Sequence, residues 1–203
     1  MKILAIGAHP DDLEPQIGGT LYKMILDGAD ITNVTATTTK TGATYETRND
    51  EGRSAAKIIG CSYLNLEIDQ SDLYYSRDTI KIFDKLLNKY QPELIFTMSQ
   101  SDSHNDHQNV NKCVQSAARK NNCSIIELNQ GLPGGLNTPN LNYFSDISSM
   151  IDLKYRAIEC YESQINKFGP AWLEMIKARD KFWGLNINSK YAEAATITRW
   201  INK

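Results

Sequence analysis

Short apolar runs alternate with amphipathic stretches along most of this chain, and that alternation confines it to few folds. Runs over residues 3–7, 31–38, 63–66, 94–98 and 124–128 are apolar or β-branched and read as buried strands. Between them, Gly18-Gly19-Thr20 opens a helix through Leu21, Met24 and Ile25 that stops near Gly28. A second helix covers 47–59, with Gly60 as its C-cap, and a third covers 78–90. A fourth follows His107, carrying Val110, Val114 and Ala117 on one face. Residues 129–142 read as a long loop, 152–164 and 171–182 as helices, and 194–200 as a β-like tail. Strand–helix alternation of this kind builds βαβ units around a mainly parallel sheet, an α/β fold. No repeat or linker interrupts it, so residues 1–203 are expected to form one domain.

Composition removes several function classes. A net charge of −2 with 23% charged residues offers no basic field for nucleic acid or an anionic membrane. No apolar run approaches the roughly 20 residues that span a bilayer, and no signal peptide opens the chain. Cys61, Cys113, Cys123 and Cys160 form no C-x-x-C pair, so they read as free, mostly buried thiols of a cytoplasmic protein. Gly18-Gly19 lacks the full G-x-G-x-x-G pattern, which argues against a dinucleotide site.

The chemistry is concentrated in two places. The chain's three histidines all fall within Ala8-His9-Pro10-Asp11-Asp12-Leu13-Glu14 and His104-Asn105-Asp106-His107. Imidazole and carboxylate are ordinary ligands of a divalent metal and the commonest general acids and bases. A lone His in a loop is usually a solvated residue, but here each cluster closely follows a strand. In an open parallel sheet, loops after the strands meet at one edge, where strand order reverses and ligands bind. Both clusters are therefore expected at one site. His9 and Asp12, three apart around Pro10, can face one ion, and adjacent Asp11 and Asp12 are not expected both to ligate it, because neighbouring side chains point in different directions. His104 and His107 could both ligate or divide the roles. Three ligands with an open position describe a catalytic zinc site, where water's pKa falls from about 15.7 to about 7. A spare Asp and a spare His complete the parts for hydrolysing an amide.

The first cluster followed by Gly18-Gly19-Thr20, together with His104-Asn105-Asp106-His107, resembles the LmbE-like (PIG-L) family of zinc-dependent N-deacetylases. Weaker echoes run through Arg48, Glu51, Ala55, Ala56 and Gly60, through Lys154, Ala157, Ser163 and Gln164, and through Tyr191-Ala192-Glu193. The resemblance implies a Rossmann-like three-layer fold with the metal at the C-terminal ends of the strands. It implies metal ligands at His9, Asp12 and His107, with Zn2+ or another divalent ion such as Fe2+. It places the general base at Asp11, the oxyanion or leaving-group partner at His104, and Asp106 where it can orient that histidine. Arg48 corresponds to the substrate-contacting arginine. The implied reaction is hydrolysis of a linear amide, removing the N-acetyl group of a GlcNAc-type sugar or glycoconjugate. Asn105 stands where many members have proline, which alters loop rigidity and no chemical role, and Pro15-Gln16-Ile17 departs from the family's small aliphatic stretch, which bears on the pocket shape near the metal.

Rival readings are a related zinc amidase acting on a larger acyl group and a non-catalytic metal-binding domain. Retention of Asp11 and His104, which metal binding alone does not need, argues against the second. The acyl pocket is expected to depend on loops 39–47 and 129–142. Glu14 is assigned no catalytic part. Trp172, Trp183 and Trp200 read as core or homo-oligomer contacts; Tyr74 and Tyr75 are better placed to stack on a sugar, although a structural role is the expected one for them too.

Overall fold

The computed structural model describes residues 1–38, 43–129 and 140–202. Strand β1 (Lys2–Gly7) is apolar on both faces because both are covered: Leu4 and Ile6 enter one core, Ile3 and Ala5 the other. Parallel strands β2 (Asp30–Thr35) and β4 (Leu94–Met98) flank it, with β3 (Ser62–Asn65) beyond β2 and β5 (Ser124–Leu128) beyond β4. The antiparallel β7 (Ala192–Arg199) pairs with β5, and β6 (Tyr143–Asp146) pairs antiparallel with β7 at the edge. Among the described residues the sheet has seven strands in the order β3-β2-β1-β4-β5-β7-β6.

Helices cover both faces. Phe83, Leu86 and Leu87 of α3 (Arg77–Tyr90) and Val110, Cys113 and Val114 of α4 (Asn105–Ala117) fill one side. On the other side lie Leu13, Ile17 and Leu21 of α1 (Leu13–Leu26), Ala55 and Ile59 of α2 (Tyr45–Ile59) and Ala157 of α5 (Ile151–Glu159). Helices α6 (Glu162–Phe168) and α7 (Pro170–Leu185) follow α5. The expected α/β three-layer, Rossmann-like architecture is what folds. Gly60 caps α2 in the left-handed conformation, φ 89°. Cys113 and Cys123 are buried, whereas Cys61 and Cys160 are half-buried rather than core.

Several elements depart from the sequence pattern for physical reasons. Helix α1 begins at Leu13 and not at Gly18, bending at Ile17 (φ −141°, ψ 16°). The bend exposes the main-chain N–H groups of Gly19 and Thr20, and both Glu193 oxygens of β7 accept them at 2.9 and 2.7 Å. Gly19 itself is needed for close approach, since a Cβ there would lie 2.8 Å from Ile147. The helical pattern over 152–164 breaks at Tyr161, whose buried hydroxyl donates to Glu14 at 2.7 Å. Strand β6 was not expected, because four residues beside a long loop carry little pattern. The β2 ladder ends at Thr35, although the Ala36 and Thr37 N–H groups still donate to Gly7 and Ala8. Residues 39–42 and 130–139 lie outside the described residues, and with them most of the two stretches expected to shape the acyl pocket. Among the described residues no helix is long and apolar enough to cross a membrane.

Candidate active site

Strand order reverses between β1 and β4, which are hydrogen-bonded neighbours with Ile6 opposite Thr97. The loops leaving their carboxyl ends diverge and open a cleft at that switch point. The β1 loop delivers His9 to Asp12, and the β4 loop delivers Asp102 to His107, so the two clusters meet. The turn after β1 is sharp: Asp11 sits at φ 93°, a left-handed conformation uncommon for non-glycine residues. It sends the two neighbouring carboxylates apart. Asp12 turns inward, its Oδ2 accepting the Ala8 and His9 main-chain N–H groups at 2.8 and 2.7 Å. Asp11 turns toward α2, where Arg48 Nη2 donates to its Oδ1 at 2.9 Å.

Asp12 is the hub of the cluster. Its Oδ1 lies 3.2 Å from His107 Nε2 and its Oδ2 lies 3.6 Å from His9 Nδ1. Each of these imidazoles keeps its other nitrogen on a supporting carboxylate. His107 Nδ1 meets Asp102 Oδ2 at 2.9 Å, and His9 Nε2 meets Asp106 Oδ2 at 2.9 Å. One ligand atom from each of His9, Asp12 and His107 falls within 4.8 Å of the others, and all three residues are buried. Two imidazoles fixed by outer carboxylates around a third, inner carboxylate match the donor set and support of a nitrogen–oxygen metal centre. His9, His104 and Asp106 form an alternative grouping, but there His104 is exposed.

Charges follow this arrangement. Burial opposes the charged imidazoles, yet Asp106 and Asp12 carry His9 up to about 9, and Asp12 and Asp102 carry His107 up to about 10. Burial likewise works against Asp12, but the His107 charge holds it well below the carboxylate range. Asp11 behaves oppositely: burial and the Asp12 charge raise it to about 7, against the pull of Arg48. His104 is lowered by burial and by the His107 and His9 charges, which favours the neutral ring.

The geometry places some expected residues differently. Asp106 does not orient His104. Its carboxylate reaches across to His9 and also accepts from Gln70 Nε2 at 3.1 Å, while His104 receives only the Asp106 main-chain N–H at its Nδ1, 3.2 Å. That bond makes His104 the cap of α4 and puts its ring proton on Nε2. Arg48 is 2% exposed and lines the cleft, but its Nη2 is engaged by Asp11 and by the Pro10 carbonyl at 2.5 Å. Glu14 is buried behind the site, held by Asn33 and Tyr161. Tyr74 and Tyr75 are absent from the cleft lining, and the Tyr75 hydroxyl pairs with Ser116 on α4. Trp183 is core and Trp200 is exposed, but Trp172, with Phe168, lines the cleft.

Asp102 and Gln70 were not legible as site residues. Asp102 sits in the polar loop after β4, and only the folded loop turns its carboxylate onto His107. Asp102→Asn is expected to weaken metal binding by about 10–100-fold with the fold intact, because the outer carboxylate sets the ring's orientation and basicity. Titrating metal into chelator-stripped protein measures this; unchanged affinity would remove Asp102 from the site.

The chain is thus an α/β protein with a mainly parallel sheet and an imidazole–carboxylate cleft at its switch point. It belongs to the PIG-L family, described as GlcNAc-PI de-N-acetylase, whose model matches residues 4–118. Diacetylchitobiose deacetylase of Thermococcus kodakarensis is 26% identical over 95% of this chain and 81% of its own length. N,N′-diacetylchitobiose deacetylase of Pyrococcus horikoshii superposes with a TM-score of 0.82 at 23% identity, over 98% of this chain and 84% of that one. GalB of Pseudomonas putida, a 4-carboxy-2-hydroxymuconate hydratase, superposes at 0.80 with 21% identity, over 100% and 98%. Structural likeness at these identities establishes the fold alone, since one fold hosts several reactions.

Proposed function

We propose that this chain is a metal-dependent amide hydrolase that removes the N-acetyl group from a GlcNAc-type sugar, N,N′-diacetylchitobiose being the first candidate. One observation carries this reading: Asp12 sits between two carboxylate-supported imidazoles while the adjacent Asp11 is turned out of that cluster. Binding alone would not call for that division. His9, Asp12 and His107 would hold the ion, Zn2+ or another divalent metal such as Fe2+. When bound, it supplies Lewis-acid activation of water and of the scissile carbonyl.

The chain's own residues supply the proton chemistry. Arg48 occupies Asp11 Oδ1, which leaves Oδ2 to take the proton of the attacking water. Burial and the Asp12 charge raise this carboxyl, which makes it a stronger base. His104, neutral with its proton on Nε2, donates to the oxygen that gains charge as water adds, and then supports proton delivery to the leaving amine. The carbon–nitrogen bond breaks, and acetate and a free amine leave. Arg48 also borders the cleft where a sugar hydroxyl would lie. Residues 1–203 are taken as one domain, supported by one continuous sheet, and the scattered cysteines suit the cytoplasm.

Acetate release across a panel of N-acetylated sugars tests the reading, and no release from any of them would defeat it. Within that assay, His104→Ala is expected to keep its metal and a near-normal KM while kcat and kcat/KM fall together by about 10²–10³. Unchanged kcat in metal-loaded His104→Ala would leave the second cluster with a ligand and no catalyst.

A further inference from the structure

The cleft has a second wall that the reaction does not use. Helix α6 ends at Phe168, and Gly169, at φ 74° and ψ 177°, turns the chain directly into α7 at Pro170. The turn sets Phe168 and Trp172 side by side, ring centres 5.9 Å apart and planes inclined by 40°. Both line the same cleft of about 290 Å³ as His9, Asp11 and His104. Phe168 remains 49% exposed and Met175, one turn along α7 from Trp172, 38%. Apolar surface left open beside reacting groups, and continuous with them, is the ordinary form of a substrate subsite.

We propose that Phe168 and Trp172 form a stacking platform for a second pyranose ring attached to the N-acetylated one, so that this enzyme selects an oligosaccharide over a single sugar. The inference rests on the N-acetylated-sugar reading above and deepens it. The neighbouring chemistry chooses the occupant. Lys167 places its ammonium 4.4 Å from the Phe168 ring centre, and the side chains of Gln16 and Gln164 border the same wall. A pyranose has an apolar C–H face for the rings and hydroxyls around its edge for those polar groups. An alkyl chain would cover the Lys167 ammonium without offering it an acceptor, which costs free energy.

Calorimetric binding to the Asp11→Asn protein, with N-acetylglucosamine and N,N′-diacetylchitobiose as probes, tests the platform without turnover. The disaccharide is expected to bind about tenfold more tightly, the scale of one aromatic contact and its buried area. Trp172→Ala and, separately, the more exposed Phe168→Ala should each close most of that gap by weakening the disaccharide. Tyr75→Ala, at a residue that pairs with Ser116 and does not line the cleft, should preserve it. Equal affinity for the two sugars, or a gap that survives both substitutions, overturns the platform. The parent reading fails separately: a gap that closes as expected, in a protein that releases no acetate from either sugar, keeps the subsite and removes the hydrolysis. Acetate release from both sugars with no binding gap does the reverse.

Discussion

Asp11→Asn is expected to retain its metal and its fold while turnover falls by about 10²–10⁴-fold. The substitution is nearly isosteric, and Asn tolerates the left-handed φ of 93° as Asp does, so the turn that separates positions 11 and 12 survives. Arg48 keeps the Pro10 carbonyl and a carbonyl oxygen at position 11 as acceptors, with Glu51 3.9 Å away. What disappears is an oxygen able to take a proton. Asp12→Asn should behave differently. Asp12 lies within reach of both His9 and His107, and a neutral amide oxygen there is a poor ligand, so that variant loses metal. Metal content and acetate release measured on the two variants separate the roles. Loss of metal in Asp11→Asn with retention in Asp12→Asn would exchange the assignments, and full activity in Asp11→Asn would end its role as base.

Lys154→Met is expected to lower unfolding stability by about 3–5 kcal/mol, a large share of the 5–15 kcal/mol typical of a domain. Lys154 Nζ lies 2.7 Å from Asp180 and 2.9 Å from Glu193, and all three side chains are fully buried. Methionine fills the volume but leaves two carboxylates in the interior with their shared cation gone. Arg179, 3.5 Å from Asp180, compensates only in part because it also reaches the Pro15 carbonyl. The effect should spread to the site, since Glu193 holds the Gly19 and Thr20 N–H groups where α1 bends. Denaturant unfolding measures it, and a loss below about 1 kcal/mol would mean that the cluster contributes nothing beyond packing.

These two regions differ in how far the sequence discloses them. Clusters that closely follow strands are placed by topology: once β1 and β4 read as parallel strands, His9 and His104 must emerge at the same edge. Adjacency alone indicates that positions 11 and 12 divide roles, and the family resemblance supplies which of them is assigned to the metal. Partner choice was not legible. Asp106 pairs with His9 and not with its neighbour His104, because the first turn of α4 aims that carboxylate across the cleft. Asp102 reads as an ordinary loop residue until the loop folds onto His107. Lys154 and Glu193 stood out only as echoes of a family pattern, since an ion pair between α5 and β7 leaves no local periodicity. The bend at Ile17 is hidden for the same reason, its support coming from β7. Trp172 lines the cleft and Tyr74 and Tyr75 do not, because the turn at Gly169, and not proximity in sequence, sets Trp172 beside Phe168 there.

In the proposed reaction one divalent ion held by His9, Asp12 and His107 drives hydrolysis of an N-acetylated sugar. The most direct measurement is acetate release from N,N′-diacetylchitobiose by chelator-stripped protein, reloaded stepwise with zinc, alongside His9→Ala, Asp12→Ala and His107→Ala. Release should be lost on stripping, return in full at about one ion per chain, and stay absent in the three variants, which should bind little metal while remaining folded. Undiminished release from stripped protein, or full metal occupancy in all three variants, would contradict the account.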